Sequence, residues 1–523
     1  MLRYVRLFVS ASAIMLLSAC HTVDTEVDAV DANPGDGICA RAPIPGQAST
    51  GLCSLRAAIM ESNAGFVKAT ITIPPGTYRL DLPIASGGGV LPITGSVKLQ
   101  GSGAASTIVE QTVGDAVIHV QGGSGVEINL LTIQGGSSQA GGGIRVTAGT
   151  VEMEDLVVRD NFGHTGGGGL VIEAGSIVRI RRATIADNMA TGAFGGGIWN
   201  QGELWVYDST ISGNDSNRAG GIRNSGNMNL RNVTVSGNTA HSPEAGVGGL
   251  SQNGFAVLNN VTITDNTGVG NLAGSFRGGG IQTTAGNLTV MKNSIVAGND
   301  GGTGPDDCVG ELAPDSRHNL IGDASECVIA GSLSTYQLGV DPGLGSLANN
   351  GGPTRTHMPL AGSPARDSAY EFPPPAANAC EASDQRGVPR PQGAGACDLG
   401  AVEYTPANTF VTGLVLVDAA ADVDLQPLHN DDVLRLELLP SSLSIRAVVT
   451  GPTGSVRFDH DGIEQIENVA PYSLGGDTSG NYWPVALSAG EHTLRATPYS
   501  GPDGTGAAGG AVAIRFSVIG NSP

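Results

Sequence analysis

Short runs of alternating apolar and polar residues follow one another along the middle of the chain, and one run recurs between residues 130 and 300. In most copies an apolar residue is followed three positions later by asparagine, as in Val158 with Asn161. Strict alternation over a few residues, with Gly and Asn between the runs, predicts strands separated by turns. The central apolar residues are 25, 27, 26, 24, 28 and 33 residues apart at Ile133, Val158, Ile185, Ile211, Val235, Ile263 and Val296.

This recurrence predicts a β-solenoid. A single repeat cannot bury its apolar face alone, so successive repeats must stack strand on strand at about 4.8 Å. Each strand then meets its counterpart one turn later in the same direction, which makes the pairing parallel. The 80 glycines and 4% aromatic residues do not suit a compact globule of this length, whereas a glycine-rich solenoid accommodates both. We therefore predict an all-β parallel β-helix over residues 67–300.

Aligning the repeats turns the sequence into columns of stacked residues. Thr184, Thr210, Thr234 and Thr262 form an outward file. A glycine phrase that includes Gly169 and Gly221 keeps step with the repeat and is expected to mark a corner, where positive φ is easiest for glycine. Asparagines in register predict a structural ladder at another corner, in left-handed conformation and with each amide bonded to the next. The ladder comprises Asn161, Asn188, Asn214, Asn238, Asn266 and Asn299.

The first residues predict export. Arg3 and Arg6 precede an apolar run, Leu7 to Leu17, that is too short to span a bilayer, so residues 1–19 are interpreted as a signal peptide. Its end, Leu17-Ser-Ala-Cys20, resembles the lipobox of bacterial lipoproteins. That resemblance implies a lipid on Cys20 that holds the protein on a membrane, and with His21 next it favours the outer membrane or cell surface. An ordinary signal peptide with a chance cysteine is the alternative.

The remaining cysteines fall into sequence-local couples in loop-rich segments. Because an exported protein meets an oxidising environment, short-range disulfides are the economical interpretation. Zinc ligation is the alternative, which the absence of a CxxC motif and of a neighbouring histidine cluster disfavours. The predicted disulfides are Cys39 with Cys53, Cys308 with Cys327, and Cys380 with Cys397.

Two segments that flank the repeats resemble known domains. Cys53-Ser-Leu-Arg-Ala-Ala-Ile59 is similar to the CSLREA domain of bacterial pectin-lyase-like β-helix proteins, which implies a helical cap over residues 37–66. Asn319-Leu-Ile-Gly-Asp323, Leu347-Ala-Asn-Asn-Gly-Gly-Pro353 and Cys397-Asp-Leu-Gly-Ala401 resemble the choice-of-anchor Q domain, which implies that residues 301–404 end the β-helix. That domain brings no catalytic residues with it.

The complete expected organisation adds two further segments. Residues 20–36 are interpreted as a lipidated flexible spacer. Short alternating strands with turn signals between them predict an antiparallel β-sandwich over residues 405–523. The expected fold class is thus all-β: a right-handed single-stranded parallel β-helix with an N-terminal helical cap and a C-terminal antiparallel β-sandwich.

The net charge of the chain limits the classes of partner that it is expected to bind. With 27 basic and 48 acidic residues the net charge is −21, which disfavours nucleic acid. The expected partners are a membrane, through the lipid, and a polysaccharide or other glycan, with the protein itself a monomer. We expect no cofactor and no metal; calcium stays open, because Asp-Gly-Asn corners could chelate but show no strict ligand spacing.

Two functions compete. Glu152, Glu154, Asp155, Arg181, Arg182 and Asp208 are the candidates for lyase or hydrolase chemistry, but Asp155, Arg182 and Asp208 are more simply an exposed ion-pair file, so no catalytic residue is assigned. Outward aromatic residues on a rigid β-surface suit sugar rings. We therefore predict an envelope lipoprotein acting in adhesion, scaffolding or glycan contact, with a carbohydrate-active enzyme as the alternative. The candidate glycan-binding residues are Trp199, Trp205, Tyr207 and Arg223.

Overall fold

The structure is a computed structural model. It describes residues 20–40, 51–65, 68–192, 194–242, 246–269, 278–284, 286, 289–370, 379–391, 396–405, 409–430, 432–478 and 480–520. The predicted signal peptide, residues 1–19, lies outside these ranges, as does the side chain of Cys20. No helix within them is both long enough and apolar enough to cross a membrane.

Parallel strands stack into a solenoid, as the alternation and its period predict. The largest sheet has two adjoining columns of strands. The first column contains Cys20–Thr22, Ala69–Thr72, Val97–Gln100, Ser124–Asn129, Thr150–Glu154, Ile177–Arg181 and Thr289–Lys292. The second contains Gly76–Leu80, Thr107–Gln111, Thr132–Gln134, Val157–Arg159, Thr184–Ala186, Ile295–Val296, Asn319–Ile321 and Tyr336–Leu338. Three long strands belong to both columns, namely Glu203–Ser212, Asn227–Ser236 and Phe255–Thr264.

Two further parallel sheets close the described part of the solenoid. The back sheet contains Leu91–Ile93, Ile118–Val120, Ile144–Val146, Leu170–Ile172, Ile198–Asn200, Ile222–Asn224, Leu250–Gln252, Ile281–Thr283, Cys308–Leu312 and Glu326–Ile329. The edge sheet contains Ser137–Ala140, Phe162–Gly166, Met189–Ala190, Asp215–Ser216, Thr239–Ala240 and Thr267–Gly268. Short 3-10 turns lie at Ile84–Ser86, Leu333–Thr335 and Leu436–Leu438. Inward apolar residues of the largest sheet and the back sheet form one continuous core.

The asparagine column forms a buried ladder along this solenoid. Asn188 donates from Nδ2 to Asn214 Oδ1 at 3.0 Å, and Asn214 repeats the bond to Asn238 at 2.9 Å. The ladder ends where Asn299 Nδ2 donates to Asp307 Oδ1 at 2.7 Å. The expected left-handed conformation, however, belongs to the residue before each asparagine, such as Asp187 with φ of 55°. Asparagine is therefore selected here for its amide and not for its backbone.

The glycine runs at this corner have two causes. Positive φ occurs in them as expected, for example at Gly141, Gly167 and Gly195. Gly169 does not have a positive φ, but a Cβ built there would lie 2.8 Å from Gly197 O and 3.0 Å from Asn188 Nδ2. A side chain would thus collide with the next turn and with the ladder. Close approach of stacked backbones excludes larger residues at this position.

The segment after Cys20 is packed, which corrects the predicted flexible spacer. Residues Cys20–Thr22 pair in parallel with Ala69–Thr72 and so add a further turn to the solenoid. Asp28 is buried in an ion pair with Arg56, whose Nε lies 2.7 Å from Asp28 Oδ1. Arg56 belongs to the helix Leu55–Ala64, which Ser54 caps by accepting a hydrogen bond from Ala57 N. Buried charge pairing therefore fixes this segment to the cap helix.

The first part of residues 301–404 ends the solenoid as predicted, with its last strands from Cys308–Leu312 to Tyr336–Leu338. The described residues between 339 and 405 instead form an irregular strap along the second column of the largest sheet. The strap covers the outward threonine file: Gln385 donates to Thr210 Oγ1 at 2.8 Å and accepts from Thr234 Oγ1 at 2.7 Å. Ala401 N donates to Thr262 Oγ1 at 2.9 Å. Within the strap, Arg386 and Asp384 form a fully buried ion pair. The threonines point outward from the sheet, as predicted, but Thr210, Thr234 and Thr262 are buried beneath the strap.

A β-sandwich follows the strap. One sheet contains Phe410–Asp418, Val423–Leu428 and Leu443–Thr450. The facing sheet, called the sandwich sheet below, contains Asp432–Arg435, Ser455–His460, Ile463–Glu467, Gly490–Tyr499 and Val512–Ile519. Asp477–Thr478 and Asn481–Tyr482 form a small hairpin. All pairings are antiparallel except that between Asp432–Arg435 and Val512–Ile519. The predicted fold class is confirmed.

Disulfides join the cysteines in the predicted couples. Cys39 bonds to Cys53 beside the cap helix, Cys308 to Cys327 between strands of the back sheet, and Cys380 to Cys397 within the strap. Each bond closes a loop of fewer than 20 residues, with sequence separations of 14, 19 and 17. The first and third bonds restrain irregular segments beside the solenoid, and the second joins two paired strands of its last turns.

Candidate functional site

A polar cleft of about 790 Å³ lies between the solenoid and the sandwich. One wall is the outward face of the largest sheet at the strands from Ser124–Asn129 to Glu203–Ser212. The other wall is the outward face of the sandwich sheet at Ser455–His460, Gly490–Tyr499 and Val512–Ile519. Alternation places polar side chains on both outward faces, since the inward residues of each strand are buried in its own core.

Register on the solenoid wall stacks charged and aromatic side chains in two columns. Glu152, Arg179 and Trp205 occupy neighbouring turns of one column. Glu154, Arg181 and Tyr207 occupy neighbouring turns of the other. The rings of Trp205 and Tyr207 stack with centroids 6.4 Å apart and an interplanar angle of 14°. The guanidinium of Arg181 lies 5.2 Å from the centroid of the Tyr207 ring.

Most carboxylates on this wall are already paired. Glu127 contacts Lys68 and Lys98, and Glu152 lies 3.9 Å from Arg179. Glu154 Oε1 lies 2.5 Å from Arg182 Nη2. These pairs cancel most of the local negative charge. The wall therefore presents less negative charge than the composition of the chain suggests.

Three arginines of the cleft have no carboxylate within ion-pair distance in the described part of the chain: Arg181, Arg495 and Arg515. Arg495 lies partly buried on the sandwich sheet, where burial and the neighbouring Arg457 hold the pKa of its guanidinium below the ordinary value. Asp459 lies opposite Arg495 in the strand register, also lines the cleft and opposes this shift. The three arginines, which have no ion-pair partner among the described residues, can still hold an anionic group.

The four residues predicted to bind glycan lie on two different surfaces. Trp205 and Tyr207 lie together on the solenoid wall, and Tyr207 lines the cleft. Trp199 and Arg223 are neighbours in register on the back sheet, away from the cleft. There the Trp199 ring stacks on Phe194 with centroids 4.9 Å apart, and the Arg223 guanidinium lies 5.7 Å from the Phe194 ring centroid. Only the first pair can contribute to the cleft.

Of the predicted ion-pair file, the structure forms the pair of Arg182 with Asp155 but, among the residues that it describes, no pair with Asp208. Arg182 Nε lies 2.8 Å from Asp155 Oδ1, and although burial opposes its charge, the bonds from Asp155 and the charge of Glu154 raise its pKa above the ordinary value. A permanently charged arginine cannot abstract a proton. Asp208 is instead held by Asn232, whose Nδ2 donates to Asp208 Oδ1 at 3.0 Å, and burial raises its pKa to about 6. Asp208 does not line the cleft.

A set of possible metal ligands was missed by the sequence analysis. His460, Asp461 and His492 place one ligand atom each within 4.8 Å of the others, at the end of the sandwich sheet. The strands around Ser455–Phe458 and His492–Thr497 are both predictable from alternation. Pairing them antiparallel would have brought the two histidines to the same end of the sheet.

The described part of the chain is thus a parallel β-helix with a strap and a sandwich that together form one polar cleft. Residues 116–306 match the family model described as right handed beta helix region, which agrees with the predicted handedness. A solved structure of pectate lyase Pel9A is similar at 13% identity over 68% of this chain and 91% of that chain, with a TM-score of 0.34. A similarity this low transfers no residue roles. No curated protein matches the chain.

Proposed function

We propose that this protein binds an acidic polysaccharide in the cleft between solenoid and sandwich. The observation that carries the proposal is the set of arginines without carboxylate partners, Arg181, Arg495 and Arg515, which line one cleft in a chain of net charge −21. Arginine forms charge-assisted, often bidentate hydrogen bonds with carboxylates. Tyr207 and Trp205 add a ring surface for the apolar face of a sugar.

The same proposal covers the cellular location of the protein and the resemblance of two of its segments to known domains. The lipobox-like end of the first segment supports a lipid on Cys20 and a place on the outer membrane or cell surface. The disulfides are consistent with an oxidising compartment. The CSLREA-like cap and the choice-of-anchor Q-like strap favour an envelope protein that contacts glycans over an intracellular role.

Binding to polygalacturonate, with a neutral glucan as comparator, tests the function by calorimetry. We expect binding to polygalacturonate only. Arg495→Gln removes a charge-assisted contact worth about 1.5 kcal/mol, which weakens binding about tenfold. Arg435→Gln is the matched control, because Arg435 lies on the same sheet outside the cleft. Equal affinity for both polymers, or unchanged affinity in Arg495→Gln, would refute the proposal.

The tryptophans supply a second matched pair of variants. Trp205→Ala removes a ring that stacks on Tyr207 and should weaken binding, whereas Trp199→Ala acts on the back sheet and should leave affinity unchanged. A similar loss in both variants would indicate that binding spreads over the solenoid and is not confined to the cleft.

A carbohydrate-active enzyme is the second candidate. Acidic and basic side chains do converge in the cleft, where Glu154 and Arg181 lie opposite each other in register. They stand at the ends of neighbouring strands and in one outward column. The binding mixtures are therefore assayed for new reducing ends and for unsaturated uronate. Product formation that Glu154→Gln abolishes would establish the enzyme.

A further inference from the structure

His460, Asp461 and His492 lie where the turn after Ser455–His460 meets the start of Gly490–Tyr499. Asp461 Oδ2 lies 2.6 Å from His492 Nδ1 and 3.5 Å from His460 Nε2. The two imidazole rings face each other with centroids 5.2 Å apart, and both contact Phe516 of the sandwich core. The residues thus converge on one point from two strands.

Both ring nitrogens of His492 face oxygen atoms. Its Nε2 lies 2.8 Å from Ser488 O, and its Nδ1 lies 2.6 Å from Asp461 Oδ2, so both ring nitrogens face oxygen acceptors. A neutral imidazole has one N–H donor only. Either a second proton lies between Nδ1 and the carboxylate, or the carboxylate turns aside and both atoms bind one metal cation.

His460 distinguishes these alternatives. Its Nε2 is buried and makes no hydrogen bond within the described part of the chain, although it points toward the same carboxylate oxygen. A proton shared between His492 and Asp461 leaves this nitrogen without a partner, whereas a metal ion bonds to both rings.

The surrounding contacts orient the ligand atoms. Thr493 N donates to Asp461 Oδ1 at 2.7 Å, which directs Oδ2 toward the histidines. The Ser488 carbonyl holds the Nε2–H tautomer of His492 and so presents Nδ1 as a ligand. Zinc bonds of about 2.1 Å place tetrahedral ligand atoms about 3.4 Å apart, close to the separation between His460 and Asp461. The shorter contact to His492 opens by a small rotation of the Asp461 carboxylate, which is 39% exposed.

We propose that His460 Nε2, Asp461 Oδ2 and His492 Nδ1 bind one zinc ion, with water completing the coordination. Two imidazoles and one carboxylate suit zinc and neighbouring transition metals, whereas magnesium and calcium prefer oxygen ligands. Asp459, Gly462 and Thr493, next to the ligands in sequence, line the cleft. The ion therefore ties the turn that forms the cleft rim to the adjacent strand, whatever the cleft binds.

The test uses metal-free protein purified without a histidine tag. Calorimetric titration with zinc should show one ion per chain with micromolar or tighter affinity, and saturating zinc should raise Tm by about 3 °C. Cobalt should give the visible absorption of a tetrahedral site. Magnesium should do neither.

His460→Ala should weaken zinc binding at least about tenfold, which corresponds to the loss of one ligand. His241→Ala is the matched control, because His241 forms a 2.6 Å pair with Asp215 without a second histidine, and its zinc affinity should equal that of the parent. Asp461→Asn, at an exposed position, should also weaken binding, with circular dichroism to establish that the variants are folded. Absence of zinc binding, or equal binding in His460→Ala and the parent, overturns the proposal in favour of an imidazolium–carboxylate pair.

Discussion

The carboxyl group of Asp208 lies at a corner of the solenoid beneath the strap, and burial raises its pKa to about 6 from an ordinary value of 3.8. Between these two pH values the folded protein retains a proton that the unfolded chain has lost. Stability therefore falls as the pH rises from about 4 to about 6 and then stays level. Ionised Asp208 is a cost to the fold at neutral pH, which the hydrogen bond from Asn232 reduces.

Asp208→Asn should increase the free energy of unfolding at pH 7.5 by up to about 3 kcal/mol and change it little at pH 4. The amide has the same shape, still accepts from Asn232 and never ionises, and asparagine tolerates the φ of 49° found here. Urea denaturation at both pH values measures the difference. An equal effect at both pH values would show that ionisation of Asp208 is not the cause.

At the scale of elements, the asparagine ladder fixes the register of the turns. Asn238 accepts hydrogen bonds from Asn214 through Oδ1 and donates through Nδ2 to Ile211 O at 3.0 Å and Asn266 Oδ1 at 2.8 Å. All these groups are buried between stacked backbones. Removing one amide therefore leaves several polar atoms without partners in a place that water cannot reach.

Asn238→Ala should lower the free energy of unfolding by about 3 kcal/mol, because buried donors and acceptors lose their partners. Asn217→Ala is the control: Asn217 is exposed and, among the described residues, its side-chain amide donates to Thr191 O, so its loss should cost less than about 1 kcal/mol. Denaturant unfolding of both variants provides the comparison. A loss for Asn238→Ala no larger than for the control would contradict the structural role of the ladder.

The strands and the asparagine ladder could be predicted from the sequence because each repeat places the same residue types at the same positions as its neighbours. The register of Asn161, Asn188 and Asn214 follows from counting alone. The sequence did not reveal that Asp187 and Asp160 adopt the left-handed backbone conformation, since Asp and Asn both tolerate that conformation. Nor did it reveal that Thr234 lies under Gln385, because alternation states which way a side chain points and not what covers it.

At the scale of the whole molecule, the cleft exists only because two outward faces meet. The column of Glu154, Arg181 and Tyr207 could be predicted from the repeat, whereas Arg495 and Arg515 lie at least 495 − 207 = 288 residues later on a sheet with its own core. No periodicity relates the two walls. The candidate site was therefore only half predictable: the repeat predicts the column that contains Arg181, whereas nothing in it predicts Arg495 and Arg515 on the opposite wall.

This arrangement predicts an unusual effect of salt on binding kinetics. The net charge of −21 repels a polyanion at long range, while the cleft arginines attract it only after contact. Added salt screens the long-range repulsion, since the Debye length is about 10 Å at 0.1 M. The association rate constant for oligogalacturonate should thus rise about twofold between low and physiological salt, as the dissociation rate constant also rises.

Biolayer interferometry over a salt series measures both rate constants. Arg495→Gln should raise the dissociation rate constant and leave the salt dependence of association unchanged, because one contact in the cleft hardly alters the field of the whole protein. A basic binding surface behaves in the opposite way, with association slowed by salt. An association rate constant that falls with salt would therefore mean that the arginines attract the polymer from a distance, and that the acidic exterior does not screen the cleft.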